Sequence, residues 1–411
     1  MQIKLNNLYK LWLVVVVVVL TSCSAETTQD TTMVNNSDGI PGKSIRYVVN
    51  DVPGDNTTRA LFEQLSQFSE TVLTARGSRV TSDNLIYKDP GTGSWVTTSD
   101  WMMPASGKVS AYGISPTVDI LADHLFDKNN RYFDYVVPVD NQTVIKIGSK
   151  LNFTADDIAS DGLVINFSNA TASLVIRATN KLQLKLRDSE EKIPVQIYVK
   201  KVTIHNLKQK GRFNFSTTKN TDGNWVLNDE LFANYSQDLN NEVLVTNGQT
   251  TPDDIVNDFI VVLPQSPEQW PWAAKGKEDA GPEDAISVAN ADHKCYIELE
   301  CRITATVNNQ TYHVWGSHDG LEATYASIYL PYVGRNASPK YAGVGAQGVY
   351  LVRITETTAL DEYGRPIKPQ ESSMADQFRD AEFINVSTSD EDGKDNVDDW
   401  EPEQTPVTVT L

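Results

Sequence analysis

The chain has 411 residues, 40% hydrophobic and 22% charged, which is enough for two domains with cores of their own. Its formal net charge of −19 excludes nucleic acid as a partner, because phosphates would be repelled. With only three cysteines, Cys23, Cys295 and Cys301, it has no disulfide framework. Val, Ile, Thr, Tyr and Asn are frequent and helix-period stretches are few, so the expected fold class is mainly β.

Residues 1–23 form an address rather than structure. Lys4 and Lys10 make a positive start, and Leu11 to Leu20, with six consecutive valines, make an apolar run too short to span a bilayer. Leu20-Thr21-Ser22-Cys23 then resembles the lipobox of bacterial lipoproteins. That resemblance implies cleavage before Cys23, acylation of Cys23 and anchoring to a membrane through lipid. Residues 24–43, rich in Ser, Thr, Asn, Asp and Gly, read as a tether.

Ser44 to Val52 alternate as a β-strand. Ile45, Tyr47 and Val49 share one face; Arg46, Val48 and Asn50 share the other. Pro53-Gly54-Asp55-Asn56 is turn chemistry. Arg59 follows in a polar setting of the kind proteases cut, which would leave Ala60 as a new N-terminus. Two readings stand side by side. One is an ordinary first strand. In the other, residues 24–59 are a tether and removable strand that completes the first domain until it is cut away. Arg46 and Arg76 are poorer cut sites, since each lies within or beside a strand pattern.

Residues 60–160 read as a first β domain, with strands at Gln67–Thr74, Leu85–Lys88, Ser94–Thr98, Lys108–Ile114, Tyr135–Val139 and Thr143–Ile147. Ile120 to Leu125 suggest a short helix. Around 160 the pattern restarts and opens a second domain, 161–411. Gly162 to Arg177 reads as one long strand, followed by Val195–Ile204, Gly211–Phe215, Asn224–Leu227 and Phe259–Gln265. Cys295–Val307 and Thr311–Trp315, joined at Asn308-Asn309-Gln310, read as a hairpin. Six residues of strand span roughly 20 Å, whereas a disulfide needs Cα atoms within about 7 Å. Cys295 and Cys301 therefore read as separate buried thiols. Gly348–Thr357 and Glu382–Val386 are the last strands before an acidic run, Asp390–Asp399. In the final Thr405-Pro406-Val407-Thr408-Val409-Thr410-Leu411, Val407, Val409 and Leu411 share one face. This is the form of a strand donated to another molecule's sheet edge.

Several of these stretches resemble the fimbrillin family of Bacteroidales-type bacteria. They are the lipobox, Thr57 to Ala60, Trp95-Val96-Thr97-Thr98-Ser99-Asp100-Trp101-Met102-Met103-Pro104 with Val109 to Pro116, Gly162 to Arg177, and Glu382 to the terminus. The resemblance implies two transthyretin-like β-sandwich domains in tandem and a structural subunit of a type V pilus serving adhesion. It implies cutting after Arg59 by an Arg-specific protease and assembly with other pilin subunits by donor-strand exchange. The protein would pass from an outer-membrane lipoprotein to the fimbrium, in a shaft, tip or anchor role.

The alternative is a surface glycan-binding lipoprotein with Trp270 and Trp272, around Pro271, as a sugar-stacking platform; the same tryptophans also read as packing. No HExxH, P-loop or GxSxG motif appears, and the five histidines are scattered. No enzyme activity, metal or cofactor is implied. Asp390 to Asp395 lacks the spacing and the twelfth-position Glu of a calcium loop and reads as a solvated linker.

Overall fold

The structure, a computed structural model, describes residues 45–51, 65–104, 106–117, 131–140, 142–158, 162–187, 189–249, 251–265, 267–268, 270, 281–316, 324–332, 347–355, 358–370 and 380–385. These residues are mainly β, with one short α-helix, α1 (Ile286–Ala291). No helix among them is long and apolar enough to cross a membrane.

Seven strands close into a ring. Their order is β1 (Tyr47–Asp51), β4 (Trp95–Thr97), β3 (Arg79–Lys88), β2 (Gln67–Thr74), β5 (Val109–Ser115), β7 (Lys146–Phe153) and β8 (Leu163–Asn169). Phe68, Val72, Ile86, Phe153, Ile165 and Phe167 fill the interior. Along the β2, β5 and β7 wall both strand faces are buried. Phe68 and Val72 point into the ring, while Leu73, Tyr112, Ile114 and Ile147 belong to the second, larger core. Such strands lose the apolar-polar alternation of a one-sided sheet, and seven of the eight β2 residues are buried or nearly so.

The larger core lies among three further sheets. β6 (Tyr132–Val136) pairs with β12 (Lys210–Phe215), which pairs with β13 (Gly223–Leu227). β9 (Ala172–Asn180) takes β15 (Asp253–Asp254), β16 (Ile260–Val262) and β20 (Gln347–Ile354) as partners. The widest sheet is built on the long β11 (Lys192–Lys208), flanked by β10 (Leu182–Lys185), β14 (Phe232–Val245) and β17 (Tyr296–Val307). β18 (Gln310–Trp315) and β19 (Ala326–Pro331) pair with β17, and β21 (Glu382–Asn385) pairs with β10.

One expectation changes. Gly162 to Arg177 is not one strand: it breaks at Ala170-Thr171, and its halves enter different sheets. The ring holds the chain as far as Asn169, while Tyr132–Val136 pairs with β12 instead. The break is held by hydrogen bonds. Ala170 N donates to Ile145 O at 2.6 Å, and Trp225 Nε1 donates to Ala170 O at 2.7 Å. The expected hairpin is present: Asn308 and Asn309 take φ values of 50° and 62° between β17 and β18. Asparagine tolerates that region better than most residues do. Cys295 and Cys301 are buried free thiols.

Candidate functional site

The strand that closes the ring is β1. Tyr47, Val48 and Val49 favour an extended backbone by side-chain shape. Ile45 and Tyr47 are buried, Val49 packs on the same core, and Arg46 and Asn50 are exposed. The two faces are those the alternation expects. β1 runs parallel to β8 over five register pairs, from Tyr47 opposite Leu163 to Asp51 opposite Phe167. Its link to β4 on the other side is a single pair, Tyr47 opposite Trp95. Among the described residues, only this short segment bridges β4 and β8. Removing it would leave two open strand edges and expose a slot shaped for alternate side chains.

One end of the parallel ladder depends on a glycine. Leu163 N donates to Arg46 O at 2.6 Å. Gly162, at φ 131°, approaches so closely that a Cβ would stand 2.4 Å from that oxygen. Only glycine combines this backbone conformation with this contact. At the other end the amide of Asn50 donates to Asn166 Oδ1 at 2.9 Å on the outer surface.

Under β1 lies a polar cluster in an otherwise apolar core. Tyr47 Oη donates to Glu70 Oε2 at 2.7 Å. Trp101 Nε1 lies 2.8 Å from Tyr47 Oη and 3.1 Å from Glu70 Oε2, so one N–H serves both oxygens. Glu70 has no exposed surface. Burial pushes its carboxyl up to about 7, against the lowering pull of the Tyr47, Trp101 and Asn84 side chains. Burial, with the Glu70 carboxyl second, also drives the Tyr47 phenol far above its usual range. Asn84 stands directly across the ladder from Glu70. Its amide favours the charged form without a hydrogen bond of good geometry, and among the described residues Glu70 Oε1 has no partner. The sequence reading did not single out Glu70. A signal was present: Phe68, Glu70 and Val72 occupy one face of β2, with a carboxylate between two core side chains.

Of the other expected site residues, Cys23, Arg59, Ala60, Val407, Val409 and Leu411 lie outside the described residues, as do the 120–125 helix and the acidic run. Arg76 is exposed in the tight β2–β3 turn. Trp270 does not form an open platform. It is 1% exposed, donates from Nε1 to Asp284 O at 3.0 Å, and packs with Ala289, Tyr296 and Leu360. Trp272 lies outside the described residues. His205 stacks on Tyr296 and pairs with Glu298 at 2.7 Å, while His293 stacks on Phe232. Among the described residues no group of three or more His, Cys, Asp or Glu side chains could hold a metal ion.

No family model matches the chain, and no curated protein matches it. Solved structures similar to it include fimbrial proteins and candidate cell adhesion proteins. A candidate cell adhesion protein from Parabacteroides distasonis is 12% identical with a TM-score of 0.39, over 86% of this chain and 93% of its own. A fimbrial assembly protein from the same species is 11% identical with a TM-score of 0.33, over 75% of this chain and 90% of its own. The C-terminally truncated tip fimbrial protein Mfa3 from Porphyromonas gingivalis is 11% identical with a TM-score of 0.31, over 87% of this chain and all of its own.

Proposed function

We propose that this protein is a fimbrillin-type pilus subunit that polymerises by strand exchange at the β1 seat. It reaches the outer membrane as a lipoprotein acylated at Cys23. An Arg-specific protease cuts after Arg59, Ala60 becomes the mature N-terminus, and the segment carrying Ile45, Tyr47 and Val49 departs. Val407, Val409 and Leu411 of another subunit then enter the vacated place. The two β regions act as tandem transthyretin-like sandwiches, and the assembled fimbrium serves adhesion.

One observation carries this reading. The ring is closed by a strand of five residues, bound on one side by a single register pair. The seat is apolar inside. Burying each side chain such as Ile45 or Val49 is worth roughly 1.5–3 kcal/mol, so an empty seat is unstable and recruits a replacement. The glycan-platform reading loses its main support with Trp270 buried.

Mass spectrometry of surface material tests the proposal by reading the mature N-terminus. Ala60 together with polymers that vanish when residues 405–411 are deleted is the expected result. Trimmed protein that stays monomeric, or polymers that persist without those residues, would overturn it.

A further inference from the structure

A strand leaving the β1 seat takes more than apolar side chains with it. Tyr47 carries the phenol that donates to the buried Glu70 carboxylate, and Trp101 has one N–H for both oxygens. We propose that Glu70 and Trp101 make the β1 seat selective, favouring an entering strand that places a hydroxyl where Tyr47 stands over one that places an aliphatic side chain there. The selection concerns a strand from another copy of this chain, and so rests on the exchange reading above.

The physical basis is the imbalance between a made and an unmade hydrogen bond. A donor to a charged group is worth more than one to a neutral group, and a buried charge that loses its donor carries the full desolvation penalty. Three described side chains face the carboxyl: Tyr47 from β1, Asn84 from β3 and Trp101 from the segment after β4. Across β5 the ladder partner is Gly113, which has no side chain to offer. Asp100 acts on Tyr47, and its charge adds to the negative side. No cation is among these groups. An aliphatic side chain in the Tyr47 place leaves ionised Glu70 with Trp101 and a poorly aimed Asn84. The carboxyl then takes up a proton instead, which its raised pKa makes easy.

On the exchange reading, the entering tail offers Val407, Val409 and Leu411 to the seat. With Val407, Val409 or Leu411 in the Tyr47 place, its entry is coupled to protonation of Glu70. Acidic surroundings favour the exchanged form; neutral and alkaline ones favour the original strand.

Two measurements test this. In the uncut protein, Tyr47→Phe is compared with wild type at pH 5 and pH 8, with and without Glu70→Gln. The expected result is a larger loss of thermal midpoint at pH 8 than at pH 5, and no such difference in the Glu70→Gln background. Equal losses at both pH values, or a difference that survives Glu70→Gln, would overturn the selectivity whatever becomes of the exchange reading. After cleavage at Arg59, synthetic peptides of residues 43–52, with Tyr or with Val at the Tyr47 position, compete for the seat. The Tyr peptide should bind about tenfold tighter at pH 8, narrowing at pH 5. Equal binding at pH 8 would also overturn it. If no peptide enters and the cut protein holds its own strand, the exchange reading fails and the uncut variants still decide the role of Glu70.

Discussion

A side chain at Gly162 would place its Cβ 2.4 Å from the carbonyl oxygen of Arg46, the acceptor that starts the β1–β8 ladder. Backbone meets backbone here, so neither side can swing aside. Gly162→Ala combines that clash with an unfavourable φ of 131° and should cost about 1–3 kcal/mol or more. Gly77→Ala is the control, because Gly77 has φ 80° and nothing within 4 Å of the added atom. Urea unfolding should show a larger loss at Gly162, and hydrogen exchange should place the loosening in β1 and β8. Equal losses at the two sites would mean that the close approach does not hold the strand.

The buried carboxyl gives the barrel a pH dependence of definite sign. Glu70 rises from 4.5 to about 7 on folding, so the folded state binds more protons than the unfolded state between those values. Its favourable contribution is fully present below about 4.5 and is lost as pH rises to about 7. A shift of this size corresponds to on the order of 3 kcal/mol. Unfolding curves of wild type and Glu70→Gln across pH 4 to 8 should therefore diverge, with wild type losing stability over that window relative to the variant. Parallel curves would place the carboxyl in a wetter site than the one described.

What the sequence made legible follows from which faces the strands bury. β1 was readable because one face meets the core and the other meets solvent, so Ile45 and Tyr47 alternate with Arg46 and Asn50. The β17–β18 hairpin was readable from its asparagines. The break at Ala170 was missed, although it leaves a parity mark. Leu163, Ile165 and Phe167 are buried at odd positions, then Ala172, Leu174, Ile176 and Ala178 at even ones. One uninterrupted strand would keep its parity, because a one-residue slip turns every side chain over. β14 escaped for the opposite reason: among the described residues it pairs only with β11, and it buries just Tyr235, Leu239 and Val245 of fourteen residues. Its polar composition suits a sheet edge and weakens the strand signal. Glu70 was passed over because a charge inside an apolar face becomes meaningful only when its partners, 23 and 31 residues away, are known.

The two thiols of the β17 region should be silent in the native protein. Cys295 and Cys301 are fully buried, and burial raises both thiols above the ordinary range, which starves them of reactive thiolate. Labelling with a thiol reagent at pH 8 should leave both unmodified until denaturant is added, and a reducing agent should not change the unfolding midpoint. Rapid native labelling of either would contradict its placement. Cys301→Ser puts a hydroxyl into that apolar site, so a loss of about 1–3 kcal/mol is expected.

Those thiols also report whether the β1 seat can fail by itself. Ile45→Ala removes buried methyl groups from the ring core and should cost about 2–4 kcal/mol, whereas Arg46→Gln on the exposed face should change stability by less than about 0.5 kcal/mol. Ile45 belongs to the ring core, while Cys295 and Cys301 belong to the larger one. The β2, β5 and β7 wall contributes side chains to both, so it can hold while β1 lets go. In Ile45→Ala, hydrogen exchange should therefore quicken in β4 and β8 without faster labelling of either thiol. Such local opening below the global unfolding free energy is what a seat that changes occupants requires. If the thiols become reactive in step with β4 and β8, the two cores unfold as one, and β1 could not leave without taking the whole structure with it.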